Sequence, residues 1–362
     1  MKITEVKLYP VHTPRETGTI TQHVVAQFFT DEGIVGLGEM SDFNHDSVVP
    51  DLNDVEKCMN KTLAGLDPFD PAAVAQEAER YGGRIGASID IAVYDIRGKA
   101  LNVPVYELLG GAYRKKIPVC YPIFPVKNEA EVEANLRRVE WVLEHDFTMI
   151  RFYCGGKENL DFDEMFLSKL RETYGERVTL KSLDMSRIYE LGDAIQVIER
   201  FADYGFMLVE SPCADVEDKA RVRSAVQLPI SEHIRTTQDI LEFAQKRAVD
   251  ICNISVPGRG ITSAARLFAV VEAVGLKSLI GTTQELSIGT AAQAHLGAAV
   301  PNLDYPCDPA GARLYQKDVV KKRVQYKEGH LIVPEGPGLG MELDEDKVKE
   351  ISKPLSVYDR LE

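Results

Sequence analysis

Arg151 and Tyr153 stand two residues apart at the end of the short apolar run TMIRFYCGG. On a β-strand that spacing puts both side chains on one face, at the strand's C-terminal end. Phenol is a weak base with an ordinary pKa near 10, but a guanidinium a few ångströms away lowers it by roughly 1 to 3 units. Such a pair could serve as a base that removes a proton from carbon.

Three later apolar runs also end in groups able to do chemistry: Asp184, Glu210 and the adjacent Glu232 and His233. Two or three carboxylate oxygens with one imidazole nitrogen, leaving room for water or substrate, suit Mg²⁺ or Mn²⁺. Glu232 and His233 cannot both face the same way on a strand, so only one is a ligand. The preference of Mg²⁺ for carboxylate favours Glu232, and residue types leave the choice open. Asp42 and His45 in MSDFNH are three residues apart and form a second candidate metal pair.

The elements that must position these groups are legible from periodicity. From about Ile117, apolar runs (IPVCY, TMIRFY, VTLKSLD, FMLVES, LPISEH, DICNIS, KSLIGTT, PNLDY) alternate with amphipathic helical stretches, the pattern of βα units around a parallel sheet. The polar strand ends read as Tyr121, Tyr153, Asp184, Glu210, His233, Ser255, Thr282 and Asp304, and their near-regular spacing predicts a closed barrel. In such barrels the chemistry sits at the C-terminal ends of the strands, which makes Tyr121 and Thr282 candidates for substrate contact. Residues 1–40 read as an antiparallel meander with strands at 3–8 and 24–29, separated by the mobile polar loop Thr13–Thr21 that carries Arg15. The predicted fold is α/β: a modified TIM barrel, (β/α)7β, over residues 115–325, with an α+β capping domain made from residues 1–114 and the returning tail 326–362.

The 362 residues carry a net charge of −14, which disfavours nucleic acid and anionic membrane as partners. Six scattered cysteines without CxxC spacing, and the lack of a signal-like or membrane-spanning apolar segment, predict a reduced, cytoplasmic protein.

AVYDIRGKALNVPVYELLGG, LVESP, ITSAARLFAVVEAVGL and the closing GPGLGMELDED resemble the enolase superfamily, mandelate racemase branch, over essentially the whole chain. The resemblance implies a divalent cation that binds a substrate carboxylate while a base removes the adjacent α-proton. Most members carry Lys-x-Lys where this chain has Arg151-Phe152-Tyr153, and Ser255 and Gly281–Thr282 put no ordinary base on the opposite side. VCYPIF, KSLDMS, PISEH, GTTQELSIGTAAQAHLG and DPAG-x-x-LY look like one subgroup, the type II galactarate dehydratases. That resemblance implies a Tyr/Arg base (Tyr153, Arg151), a capping-domain tyrosine as acid (Tyr81), His233 as the fifth-strand ligand beside Asp184 and Glu210, and a second metal held by Asp42 and His45 with a backbone oxygen of Thr282 or Thr283. Arg15 is the candidate for the far carboxylate of a diacid sugar. The expected activity is Mg²⁺-dependent dehydration of galactarate by a homo-oligomer. An epimerase or racemase, and a catalytically silent acid-sugar-binding barrel, are the alternatives.

Overall fold

The computed structural model describes residues 1–357, apart from 45 and 47. The chain opens with an antiparallel sheet, β1 (Ile3–Pro14), β2 (Ile20–Thr30) and β3 (Val35–Met40), in that order. β1 and β2 both run further into their hairpin than their hydrophobic pattern indicated. Pairing continues through Thr13 with Thr21 and Pro14 with Ile20, so the expected loop shrinks to a turn at residues 15–19. Polar threonines become strand there because Thr13 and Thr21 are buried and the Thr13 hydroxyl bonds the Lys317 carbonyl.

Against this sheet pack α1 (Leu52–Leu63) and α3 (Gly83–Leu101), with α2 (Pro71–Tyr81) packed on α3 and the short α4 (Val105–Leu108) following. Asp51 and Asp70 cap the first two helices by accepting from first-turn amides, as their sequence positions foretell. α3 lies directly on the backbone of β3. A Cβ at Gly38 would stand 2.3 Å from the Ser88 carbonyl oxygen, and one at Gly36 2.5 Å from that of Ala92, so only glycine admits the helix.

The remainder alternates strand and helix: β4 (Lys116–Pro118), β5 (Tyr121–Ile123), α5 (Glu129–Glu144), β6 (Met149–Tyr153), α6 (Leu160–Tyr174), β7 (Thr179–Asp184), α7 (Leu191–Phe201), β8 (Phe206–Glu210), α8 (Val216–Ala225), β9 (Ile230–His233), α9 (Thr237–Lys246), β10 (Ile251–Ile254), α10 (Gly260–Ala273), β11 (Lys277–Ile280) and α11 (Ser287–Ala299). β5 to β11 form one parallel sheet in sequence order. Its strands are buried on both faces, as parallel strands flanked by helices must be. The segment 304–308 closes the ring: the Asp308 amide bonds the Ile280 carbonyl on one side, and Cys307 exchanges backbone hydrogen bonds with Pro118 and Cys120 on the other.

After α12 (Gly311–Leu314), β12 (Gln325–Lys327) and β13 (His330–Ile332) form an antiparallel ribbon with β4, and α13 (Glu345–Ile351) then packs on β1. The chain thus bonds the end of β1 at residues 315–317, pairs next with the strand that leads into the barrel, and packs on the capping sheet again through α13.

Two capping-domain carboxylates dock on helix N-termini of the barrel. Glu39 accepts from the amides of Leu286 and Gly289 at the start of α11, both at 2.8 Å, and Asp90 accepts from the Thr262 amide (3.0 Å) and hydroxyl (2.6 Å) at the start of α10. Anionic groups at positive helix ends join the two parts at fixed points. Among the described residues, no helix is long and apolar enough to cross a membrane.

Candidate active site

The barrel interior is built by strand register. Tyr153 lies opposite Asp184, Asp184 opposite Glu210, and His233 opposite Asn253, so the C-terminal ends of β6 to β10 present a row of polar side chains. Alternation carries Phe152 outward, where it stacks on Phe166 of α6, and leaves Arg151 and Tyr153 on the inner face. The Arg151 Nη2 donates to the Tyr153 hydroxyl, and the Tyr153 ring stacks on Phe124 at 5.4 Å.

Arg151 is 3% exposed and sits among three carboxylates: Glu210 at 3.5 Å, Asp308 at 3.6 Å and Asp184 at 3.9 Å. Glu210 also meets His233 Nε2 at 3.1 Å and accepts from Asn253 Nδ2 at 3.1 Å. Asp308 in turn holds Lys181 Nζ at 2.5 Å, with both side chains buried. Lys181 and Asp184 are an odd number of residues apart, yet both reach this cluster. The pairing of β6 with β7 skips Lys181, and this bulge lets both side chains face in.

The electrostatics follow from packing. Burial pushes the Tyr153 phenol up, Arg151 pulls it down, and Asp184, Glu210 and Asp308 push it up again; the net direction is upward. The lowering expected from the arginine alone is thus overridden. Burial and the neighbouring Glu210 raise the Asp184 carboxyl despite Arg151. Glu210 moves the other way, because Arg151, His233 and Lys181 outweigh the burial that would raise it. For His233, burial opposes the imidazolium but the bond to Glu210 prevails, raising its pKa. Lys181 is held protonated by Asp308 against its burial, so it is no base.

A divalent cation suits this donor set. Asp184, Glu210 and His233 offer two carboxylates and an imidazole, and Glu210 Oε2 is buried without a hydrogen-bond partner. Among the described residues no three His, Cys, Asp or Glu side chains stand as a closed metal cage, since Glu210 Oε1 faces His233, Arg151 and Asn253. Mg²⁺ typically takes few protein ligands and completes its shell with water or substrate, so an open donor set is compatible with it. Glu232 is turned away from the cluster: Glu210 lies opposite Ser231, so His233 shares that face, while Glu232 points to Arg187 (2.6 Å), Ser211 (2.8 Å) and Lys219 (3.1 Å).

Several expected site residues lie elsewhere. The Tyr81 hydroxyl bonds Thr62 Oγ1 at 2.8 Å and its ring packs on the capping-domain core, because α2 ends against α1 instead of over the barrel. This placement does not support Tyr81 as the acid. Tyr121 faces the helix layer, with its ring against Trp141 and Phe147 and its hydroxyl donating to Glu16 at 2.6 Å, so strand register removes it from the interior. Thr282 spends its hydroxyl on Glu285 at 2.7 Å, within its own turn. Asp304 binds Lys277 and Ser278 at the start of β11, the wrong end of the barrel; the eighth segment's inward carboxylate is Asp308. On β10 the interior residue is Asn253, not Ser255, and Gly281 makes room for it, since a Cβ there would lie 1.8 Å from Asn253 Oδ1. Lys181 lay in VTLKSLD and Asp308 in the DPAG segment, yet period-two alternation hid the first and the earlier Asp304 displaced the second.

Asp42 and Arg15 come together, with Arg15 Nη2 3.7 Å from Asp42 Oδ2 and Arg15 Nε donating to Thr21 at 2.8 Å. The next residue back, Ser41, bonds Thr283 Oγ1 at 2.6 Å, which sets the Asp42 segment against the turn after β11. His45 lies outside the described residues. Arg15 also lines a cleft of about 320 Å³ with Arg138 and Phe124, the ring stacked on Tyr153.

Residues 1–110 match the mandelate racemase / muconate lactonizing enzyme N-terminal domain, and residues 131–347 the enolase C-terminal domain-like family. Muconate cycloisomerase 1-1 of Acinetobacter lwoffii is 28% identical over 95% of this chain and 93% of its own length, and a chloromuconate cycloisomerase of Pseudomonas putida 25% over 89% of each. The structure of muconate lactonizing enzyme from Pseudomonas putida superposes with a TM-score of 0.86 at 22% identity, over 98% of this chain and 100% of that one. A mandelate racemase/muconate lactonizing family protein from Azoarcus sp. EbN1 does so at 0.84 and 25%, over 99% of each.

Proposed function

Because the chain belongs to the mandelate racemase/muconate lactonizing branch of the enolase superfamily, we propose that it is an acid-sugar dehydratase acting on a hexarate, galactarate first, in which Tyr153 removes the α-proton. The observation that carries this reading is the contact of Arg151 with Tyr153 on the inner face of β6, beside Asp184, Glu210 and His233. Arg151 donates to the phenol oxygen and so favours its anion, offsetting part of the cost of burial. Members of this branch typically use Mg²⁺ or Mn²⁺; the ion, held by Asp184, Glu210 and His233, would bind a substrate carboxylate and stabilise negative charge as the proton leaves.

Tyr153 accepts the proton from the α-carbon and then carries it on the face from which the proton came. Delivered to a β-hydroxyl on that same face, it leaves as part of water, so the elimination needs no second acid and accommodates the remote Tyr81. The far carboxylate reaches the cleft of Arg15 and Arg138, where a planar guanidinium can grip it with two hydrogen bonds. For Arg15 this requires release from Asp42.

A panel of hexarates incubated with Mg²⁺ and followed by product NMR tests the proposal. A 2-keto-3-deoxy diacid is the expected product. Epimerised diacid without keto product would overturn dehydration. The likeness to muconate cycloisomerases, at 28% identity over 95% of the chain, favours cycloisomerisation of an unsaturated diacid as the second reading. Conversion of muconate to a lactone, with hexarates untouched, would select it.

A further inference from the structure

A second cleft, of about 630 Å³, opens at the seam between the capping helices α2 and α3 and the barrel turns that follow β9 and β10. It is separate from the Arg151 cluster and from the cleft of Arg15. Four arginines line it: Arg97 from α3, Arg235 from the turn after β9, Arg259 at the N-cap of α10 and Arg266 midway along that helix. The carboxylates on its wall are Glu79 and Asp90, which leaves a local charge of 4 − 2 = +2 in a chain whose net charge is −14. Asp90 is already committed to capping α10 through Thr262.

Among the described residues none of the four arginines forms an ion pair. Three of their nitrogens, Arg259 Nε and Nη1 and Arg97 Nη2, are buried without a hydrogen-bond partner. Buried donors without partners are costly, by about 1 to 3 kcal/mol each and more for charged groups, so they are rare unless something occupies the site. Burial and the nearby Arg235 disfavour the Arg259 cation, lowering its pKa to about 10 although Asp239 counters them. An arriving anion would relieve both effects.

We propose that this seam is a binding site for a phosphate-type oxyanion, held by Arg259 and Arg97 across the capping domain and barrel, with Arg235 and Arg266 at its mouth. Guanidinium forks match the tetrahedral oxygens of phosphate, and four of them exceed what one carboxylate could use. The chemistry is shared by free phosphate and by the phosphoryl group of a metabolite. Occupancy bridges α3 to α10, and Arg235 lies two residues beyond His233 in the chain.

Isothermal titration of the full chain, in a buffer without phosphate or sulfate, with inorganic phosphate and separately with glucose 6-phosphate tests the site. Binding of either at millimolar concentration or below is expected, and the tighter ligand identifies the source. Arg259→Met should weaken it by about tenfold or more, the loss expected for a charge-assisted hydrogen bond. Arg235→Gln, at an exposed position that does not threaten folding, should weaken it in the same direction while circular dichroism stays unchanged. No binding of either ligand, or affinity that both substitutions leave unaltered, would overturn the proposal.

Discussion

Lys181 and Asp308 form an ion pair inside the barrel, Nζ to Oδ1 at 2.5 Å, although 127 residues separate them in the chain. Both side chains are at most 1% exposed. The pair ties β7 to the segment that closes the ring, and Asp308 passes its second oxygen to Arg151 at 3.6 Å. It thereby positions the guanidinium that holds Tyr153.

Breaking this pair on one side should be expensive. Lys181→Met leaves Asp308 buried with Arg151 as its one cation and only the weak donors Asn253 and Cys120 beside it, and loss of about 3 to 5 kcal/mol in urea unfolding is expected. Replacing both partners by apolar residues of similar size should cost much less. A double variant no more stable than Lys181→Met would contradict the pairing.

Tyr153→Phe should abolish exchange of the substrate α-proton with solvent deuterium, with a rate loss of about 10² to 10⁴ typical for a lost base. The working form of Tyr153 is the phenolate, and its pKa lies above the ordinary value because burial and three carboxylates outweigh Arg151. Activity at limiting substrate should therefore rise toward alkaline pH. Arg151→Met removes the lowering influence and should move that ascending limb further up; a limb shifted down would contradict the assignment.

The fifth strand separates two roles that its sequence left tied. His233→Ala should weaken Mn²⁺ binding, measured by calorimetry, by at least about tenfold, because the imidazole faces Glu210. Glu232→Gln should leave that affinity nearly intact. It should instead lower stability, since Lys219 is 3% exposed and loses its buried counter-charge. The reverse pattern would show that Glu232 holds the metal.

Tyr81→Phe should leave the turnover number within about twofold of the wild type, a change of only about 0.4 kcal/mol in barrier. The expected penalty is about 1 kcal/mol of stability from the lost bond to Thr62. A large fall in turnover with unchanged stability would restore Tyr81 as the acid.

Asp163 gives a pH signature independent of the metal. Its carboxyl is buried, accepts from the Gly155 amide at 2.8 Å just beyond Tyr153, and has its pKa raised by burial to about 6. The unfolded carboxyl titrates near 3.9, so folding favours the protonated form: the stabilisation is full below about pH 4 and is lost as pH rises through about 6. Two units correspond to about 3 kcal/mol. Urea melts of wild type and Asp163→Asn should therefore differ in slope over that window, the wild type losing up to about 3 kcal/mol relative to the variant. Parallel slopes would refute the raised pKa.

Much of this molecule was legible in its sequence because hydrophobic periodicity is a local property. Alternation and helical spacing located the barrel strands and the helix Glu129–Glu144, and the two-residue spacing of Arg151 and Tyr153 was enough to put them on one face. Carboxylates at successive strand ends announced Asp184 and Glu210 for the same reason.

What sequence alone did not decide was anything that depends on register between distant segments. A bulge at Lys181, invisible to strict alternation, turned that residue inward. Closure of the ring by residues 304–308 chose Asp308 over Asp304, and the pairing of Glu210 with Ser231 chose His233 over Glu232 for the inner face. Tyr121 and Tyr81 have the right chemistry, but their neighbours across the fold, Trp141 and Thr62, take them elsewhere. The protonation bias of Tyr153 was likewise a tertiary outcome: Arg151 was visible at two residues' distance, while what outweighs it is burial in the packed barrel together with Asp184 of β7, Glu210 of β8 and Asp308 of the closing segment. Side-chain type and spacing determine what chemistry is available; desolvation and long-range register determine which groups meet to perform it.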